Sequence, residues 1–269
     1  MNYTKFKRII WGYYRKHGRD FAWRQTHDPY KILVSEIMLQ QTQTSRVLEK
    51  YTSFLKKFPT LKMLAKAPLR NVLLEWQGLG YNRRALFLKR SAEVVMRDFS
   101  GSLPPSFESL RTLPGIGNYM AAAITVFAFG KPTVMIETNI RAVYIHFFKR
   151  GVKKVHDEEI RGLIEKTMDT KNIREWFYAL MDYGAMLKRN GDGKPTRSIH
   201  YKKQSPFKGS LRQIRSNILR VILKEQAVSR QKLARSLSIP TDTLSRILTS
   251  LTKEGLIRKH GTKYTVARY

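Results

Sequence analysis

Leu113-Pro114-Gly115-Ile116-Gly117 stands between a short amphipathic stretch at 107–112 and a long apolar run at 118–129. Two glycines one residue apart permit positive φ and close backbone approach, and helical spacing begins directly behind them. The N–H groups of a helix's first turn have no partner within the helix. A glycine-opened start therefore presents them to a phosphate without reading sequence. Leu113, Gly115 and Gly117 are the residues this helix-hairpin-helix pattern offers to DNA. A purely structural turn would use them equally well.

Outward from the hairpin, apolar residues recur at three-and-four spacing from 3 to about 206, with almost no strand-like alternation. The spacing predicts helices over 3–16, 29–41, 45–57, 61–65, 69–76, 82–98, 107–112, 118–129, 139–148, 158–168 and 173–186. They are separated by turn signals such as Phe58-Pro59, Gly78-Leu79-Gly80 and Gly130-Lys131-Pro132. The stretch 188–210 is rich in Lys, Arg, Gly, Ser and Pro and reads as a basic linker. Beyond it, helices over 211–225, 229–237 and 241–254 precede a hairpin of 256–258 and 264–266 around Gly261, the order of a winged helix. Ser238-Ile239-Pro240 is then the turn of a helix-turn-helix. The last helix would face DNA with Thr243, Ser245, Arg246 and Lys253, and the wing would add Arg258, Lys259, His260 and Lys263. The competing reading is a packing or protein-contact module.

Of 269 residues, 51 are Lys or Arg and 20 are Asp or Glu, a net charge of +31. Such an excess points to a polyanionic partner, which composition alone does not distinguish among nucleic acid, an anionic membrane and a chaperone or ribosomal role. Hydrophobic residues at 42% are enough for a core, which excludes wholesale disorder. The chain has no cysteine, so disulfides, thiolate catalysis and cysteine-ligated zinc or iron–sulfur centres are excluded. Without a long apolar span or a signal pattern, the expectation is a soluble intracellular protein that does not engage a membrane.

Two carboxylates stand out. Glu137, in Thr133-Val134-Met135-Ile136-Glu137-Thr138-Asn139, follows an apolar run near the hairpin. There it can stabilise positive charge developing on a deoxyribose, or simply cap the next helix. Glu36 lies in Tyr30-Lys31-Ile32-Leu33-Val34-Ser35-Glu36-Ile37-Met38-Leu39, where partial burial would let it hold a proton as a general acid does. The alternative is a rim residue or a paired acid. Cleaving an N-glycosidic bond needs such a division of labour: one acid protonates the leaving group while a second carboxylate supports the oxocarbenium-like sugar.

Taken together, 35–43 with its Gln40-Gln41-Thr42-Gln43 run, Gly78-Leu79-Gly80-Tyr81, the 113–117 hairpin and Met181-Asp182-Tyr183-Gly184-Ala185-Met186 resemble MutY-type adenine DNA glycosylases over roughly 5–188. The resemblance implies a mainly α chain: a two-lobed helix-hairpin-helix glycosylase domain over 1–187 with its active site in the cleft between lobes, the linker 188–210, and a winged helix over 211–269. It implies that Glu36 protonates adenine, that Asn139 orients the attacking water, and that Trp23, Arg24, Leu39 and Asp182 line the base pocket. Gln41 and Tyr81 would enter the base stack beside Gln43. Tyr119 falls where the bifunctional endonuclease III branch has a lysine nucleophile, so no Schiff base can form there and a monofunctional enzyme is expected. The implied partner is double-stranded DNA with a mismatch or oxidised base, bound by a monomer in the cytoplasm or on the nucleoid.

The sequence departs from the family at three places. Glu137 replaces an aspartate; the four cysteines that usually hold an iron–sulfur cluster after Met186 are missing, so no cofactor is expected; and the winged helix stands where many relatives have a domain that recognises 8-oxoguanine. The segment 205–215 is similar to one that follows the catalytic domain in some adenine glycosylases. The rival expectations are a thymine or uracil mismatch glycosylase, whose branch also carries tyrosine at the position of Tyr119, and a DNA-binding protein without catalysis.

Overall fold

The structure is a computed structural model that describes residues 1–192, 195–201 and 206–268. In chain order its elements are α1 (Tyr3–His17), α2 (Pro29–Leu39), α3 (Thr44–Lys57), α4 (Leu61–Lys66), α5 (Leu69–Glu75), α6 (Arg83–Asp98), α7 (Phe107–Arg111), α8 (Asn118–Phe129), α9 (Thr138–Phe148), α10 (Asp157–Thr167), α11 (Ile173–Arg189), α12 (Leu211–Glu225), β1 (Val228–Ser229), α13 (Arg230–Leu237), α14 (Thr241–Lys253), β2 (Ile257–His260) and β3 (Lys263–Val266). The chain is thus mainly helical, as its periodicity predicts. Side-chain caps start several helices: Asn2 Oδ1 accepts the Thr4 N–H at 2.8 Å, and Ser229 Oγ accepts that of Lys232 at 3.2 Å. Gly130, at φ +61°, closes α8.

Two compact units share the chain. The first comprises the described residues of Met1–Ile32, Pro105–Arg111 and Ile116–Gln204. Its core joins Phe6 and Ile10 of α1, Val126 and Phe127 of α8, Tyr144 of α9 and Trp176 of α11, all buried. Every residue from Met120 to Phe127 is buried, so α8 is a central helix apolar on all sides, which is why its sequence shows no polar stripe. Behind α11 the chain returns to pair with Val155: its N–H donates to the Arg197 carbonyl at 2.9 Å, and its carbonyl accepts from Ile199 at 3.3 Å.

The second unit comprises the described residues of Leu33–Pro104, Thr112–Gly115 and Ser205–Tyr269. Here α6 packs on α4 and α5, and α12 packs on α5, where an Arg70 Nη2–H donates to the Leu223 carbonyl at 2.9 Å. The three strands pair antiparallel in the order β1-β3-β2, with Ile257 opposite Val266 and Val228 opposite Tyr264.

Two helix ends differ by more than one residue from the sequence expectation, and one strand is added. Helix α2 ends at Leu39 rather than 41, because Gln41 adopts φ +53° and the last carbonyls of the helix are bound by Arg84. Helix α11 runs to Arg189, into the expected linker, because Leu187 extends its buried face. The hairpin gains a third strand, β1, too short at two residues to show alternation. Among the described residues no helix is long and apolar enough to cross a membrane.

Candidate active site

The hairpin depends on glycine twice over. Gly115 sits at φ +78°, and a Cβ there would stand 2.7 Å from Phe87 Cβ, so both conformation and space exclude a side chain. Ser91 Oγ–H fixes the turn by donating to the Pro114 carbonyl at 2.7 Å. Leu113 is buried and anchors the turn, whereas Gly115, Gly117 and Asn118 are exposed at the mouth of α8. Tyr119, in the first turn of α8, is partly buried.

Glu137 is the N-cap of α9. Its Oε1 accepts the N–H groups of Asn139 at 2.8 Å and Ile140 at 2.9 Å, and its Oε2 accepts from Asn139 Nδ2 at 3.2 Å. Capping and a chemical role are therefore compatible: the two N–H groups hold one oxygen still. Burial pushes the carboxyl above the ordinary glutamate range, against the pull of those N–H groups and of Lys188 and Arg141. Asn139 Oδ1 is buried without a hydrogen-bond partner, on the same amide whose Nδ2 donates to Glu137 Oε2. The position of this first turn is set by Gly184 on α11. A Cβ there would stand 2.2 Å from the Asn139 carbonyl oxygen, so only glycine lets α9 and α11 come this close.

Of the four residues expected to line a base pocket, Trp23, Arg24 and Asp182 lie in the first unit, where Arg24 pairs with Asp182, and Leu39 lies in the second. The Asp182 carboxylate is 2% exposed. It accepts from Arg24 Nη1 and Nη2, each at 2.8 Å, and from the Arg19 backbone N–H at 2.8 Å and Nε at 2.7 Å. Burial alone would raise its pKa, but the Arg24 and Arg19 interactions hold it below the usual range. The Arg24 guanidinium lies 4.3 Å from the Tyr178 ring centroid, and Phe21 stacks on Trp23 at 4.9 Å. Arg174, 4% exposed, steadies this loop from α11 by donating to the carbonyls of Arg24, Thr26 and Phe127.

In the second unit, Glu36 is 6% exposed within α2, amid the buried residues Leu33, Val34, Ile37 and Met38. Leu39 is partly buried, and Gln41 and Gln43 are exposed. Gln41 and Tyr81 hold left-handed conformations, at φ +53° and +48°, that cost an ordinary side chain energy and persist only when surroundings impose them. What imposes them is Arg84. Its Nη1 donates to the carbonyls of Ile37, Met38 and Gln40, and its Nη2 to Thr42 Oγ1 and the carbonyls of Leu79 and Gly80, at 2.5–3.1 Å. Desolvation lowers its pKa to about 10, which leaves it charged at neutral pH. One cation thus ties the loop that bears Gln41 and Gln43 to the loop that bears Tyr81. Arg246 and Lys263 are exposed on α14 and β3.

The sequence reading missed Arg84, Arg174, Arg19 and Gly184. In a chain with 51 basic residues a buried arginine has no distinguishing signal, whereas Gly184 is a glycine inside a helical pattern and could have been singled out as a close approach. The residues after α11 do not fit a cysteine-held cluster, since the chain has no thiolate to offer. Among the described residues no group of three or more His, Asp or Glu side chains could hold a metal.

Residues 34–168 match the family described as HhH-GPD superfamily base excision DNA repair protein. The chain is 34% identical to the adenine DNA glycosylase of Buchnera aphidicola subsp. Baizongia pistaciae, a match that covers 68% of this chain and 52% of that protein, so the chain spans about half the length of this relative. It is 31% identical to the adenine DNA glycosylase of Mycobacterium tuberculosis strain H37Rv, across 92% of this chain and 88% of the relative. A solved structure titled as a thermostable thymine-DNA glycosylase superposes with a TM-score of 0.65 at 30% identity, covering 68% of this chain and 86% of that one. The helical architecture, the glycine hairpin and these matches agree: the chain belongs to the HhH-GPD superfamily of base excision DNA repair proteins.

Proposed function

We propose that the chain is a monofunctional DNA glycosylase of base excision repair that hydrolyses the N-glycosidic bond of adenine mispaired with guanine or 8-oxoguanine. The observation that carries this reading is Glu36, a carboxyl kept 6% exposed on an otherwise apolar stretch of helix. Glu36 donates a proton to the departing adenine, which would otherwise leave as an anion. Glu137, fixed by its two N–H partners, supports the cationic character that grows on the sugar as the bond breaks. The unpaired Asn139 Oδ1 accepts a hydrogen bond from the attacking water. Tyr119 offers no amine, so the base leaves and the sugar stays in an unbroken strand as an intact abasic site.

DNA is bound through phosphates at Gly115 and Gly117 and through a winged helix over 211–269 that presents Arg246 and Lys263, while Gln41, Gln43 and Tyr81 occupy the gap left by the extruded base. The protein works as a soluble monomer in the cytoplasm or on the nucleoid, without a cofactor. Similarity to adenine glycosylases and the Gln40-Gln41-Thr42-Gln43 run support adenine as substrate. The thymine-DNA glycosylase structure at 30% identity favours a second reading, removal of thymine or uracil opposite guanine.

The test is single-turnover base release from A:G, A:8-oxoguanine, T:G and U:G duplexes, each analysed with and without alkali. Strand breaks confined to the adenine strands, and seen only after alkali, support the proposal. Release from T:G or U:G moves the substrate to pyrimidines, and release from none leaves a DNA-binding protein.

A further inference from the structure

Tyr81 is held by more than its own loop. Arg212, the second residue of α12, donates from Nη1 to Tyr81 Oη at 2.7 Å, and the guanidinium carbons of Arg212 and Arg84 each lie 5.5 Å from the Tyr81 ring centroid. The start of α12 is capped. Ser210 caps it by accepting from the Gln213 N–H, and Gln213 Oε1 in turn accepts from the Gly209 N–H at 2.7 Å. Eleven residues further along α12, the Leu223 carbonyl is bound by Arg70 of α5. The helix is therefore fastened at two points roughly 16 Å apart. A guanidinium so mounted restricts an aromatic ring whose backbone is already in a left-handed conformation.

We propose that Arg212 is a positioning residue for Tyr81, so that the segment after residue 210 takes part in holding the gap left by an extruded base and not only in anchoring DNA. This rests on Tyr81 entering the base stack. A ring with a free hydroxyl would lose rotational freedom on insertion, whereas Arg212 fixes it beforehand. The role differs from a phosphate contact, which would act on all DNA alike.

The experiment is a double-mutant cycle on the full chain with Arg212→Ala, Tyr81→Phe and both together. The measured quantity is the affinity for a duplex containing a tetrahydrofuran abasic site relative to the intact duplex, over a range of salt. Tyr81→Phe deletes the same hydrogen bond without touching α12, so the cycle stays informative if Arg212→Ala loosens that helix. Each single variant is expected to lower the preference about tenfold, with no further loss in the double variant and an unchanged salt slope. Multiplying effects, or a salt slope flattened by about one in Arg212→Ala, would make Arg212 a phosphate ligand and overturn the proposal. Absence of any abasic preference in the wild type would overturn it together with the Tyr81 reading. Adenine release is scored separately, so a protein that prefers the gap yet releases no adenine refutes only the proposed activity.

Discussion

Gly184→Ala adds one methyl group where α9 and α11 meet. Its Cβ would lie 2.2 Å from the Asn139 carbonyl oxygen and 2.6 Å from its carbon, while ordinary contact begins at 3.4 Å. Both partners are helix backbone, so no flexible side chain can absorb the overlap, and the first turn of α9 must retreat by about 1 Å. Glu137 moves with it, because its carboxylate is bound to the Asn139 and Ile140 N–H groups of that turn. A displacement of about 1 Å in a catalytic group costs about 100-fold in rate. The stability change is smaller than the roughly 2.7 kcal/mol that a 100-fold rate loss represents. Overpacking costs about 1–3 kcal/mol, and the better helix propensity of alanine returns about 1 kcal/mol. The variant should therefore stay folded, bind an A:G duplex normally, and release adenine about 100-fold more slowly at saturating enzyme. Single-turnover release and thermal unfolding on the same preparation separate the two effects. A rate within threefold of wild type would refute the reasoning that Gly184 sets the position of Glu137.

Further outcomes follow from the same geometry. Because burial raises the Glu137 carboxyl above the ordinary 4.5, the charged form is less favoured in the folded chain than in the unfolded one. Its ionisation costs nothing at pH 4 and progressively more as pH rises from 4.5 through the raised folded value. Glu137→Gln keeps an acceptor for the α9 N–H groups but removes the titration. Its stability relative to wild type, measured by denaturant unfolding, should improve between pH 4 and pH 7, and a constant difference would contradict the cause assigned. Arg84→Ala leaves the carbonyls of Ile37 and Met38 without this donor and should cost roughly 3 kcal/mol or more in urea unfolding; a loss below about 1 kcal/mol would show that water replaces the guanidinium. Replacing exposed Arg246 and Lys263 together by alanine should flatten the slope of log affinity against log salt by about 2 and leave the rate at saturation unchanged. An unchanged slope would assign the segment 211–269 to protein contacts.

The helices were legible because their signals are local. Asn2, Thr60, Ser210 and Ser229 cap where short polar side chains precede apolar periodicity, and Gly115 and Gly130 adopt the positive φ their places suggest. The C-terminus of α2 was not, because it is decided by Arg84, more than forty residues away in sequence. The candidate site divides in the same way. Glu36 was legible as a carboxylate in an apolar run, and the capping role of Glu137 followed from its place before a helix. By contrast, the bidentate Arg24–Asp182 pair and the Arg212–Tyr81 bond join residues 158 and 131 positions apart, and no periodicity encodes such pairings. The family resemblance implies that Arg24 and Asp182 lie together, but the bonds themselves are set by the folded chain.

The proposed cleavage of an N-glycosidic bond depends on Glu36 as its acid. Single-turnover adenine release from an A:G duplex, compared between wild type and Glu36→Gln at equal DNA occupancy, tests it most directly. Alkali-labile product is expected from the wild type, none from the variant, and equal affinity for the duplex. Release by Glu36→Gln at the wild-type rate would contradict that dependence.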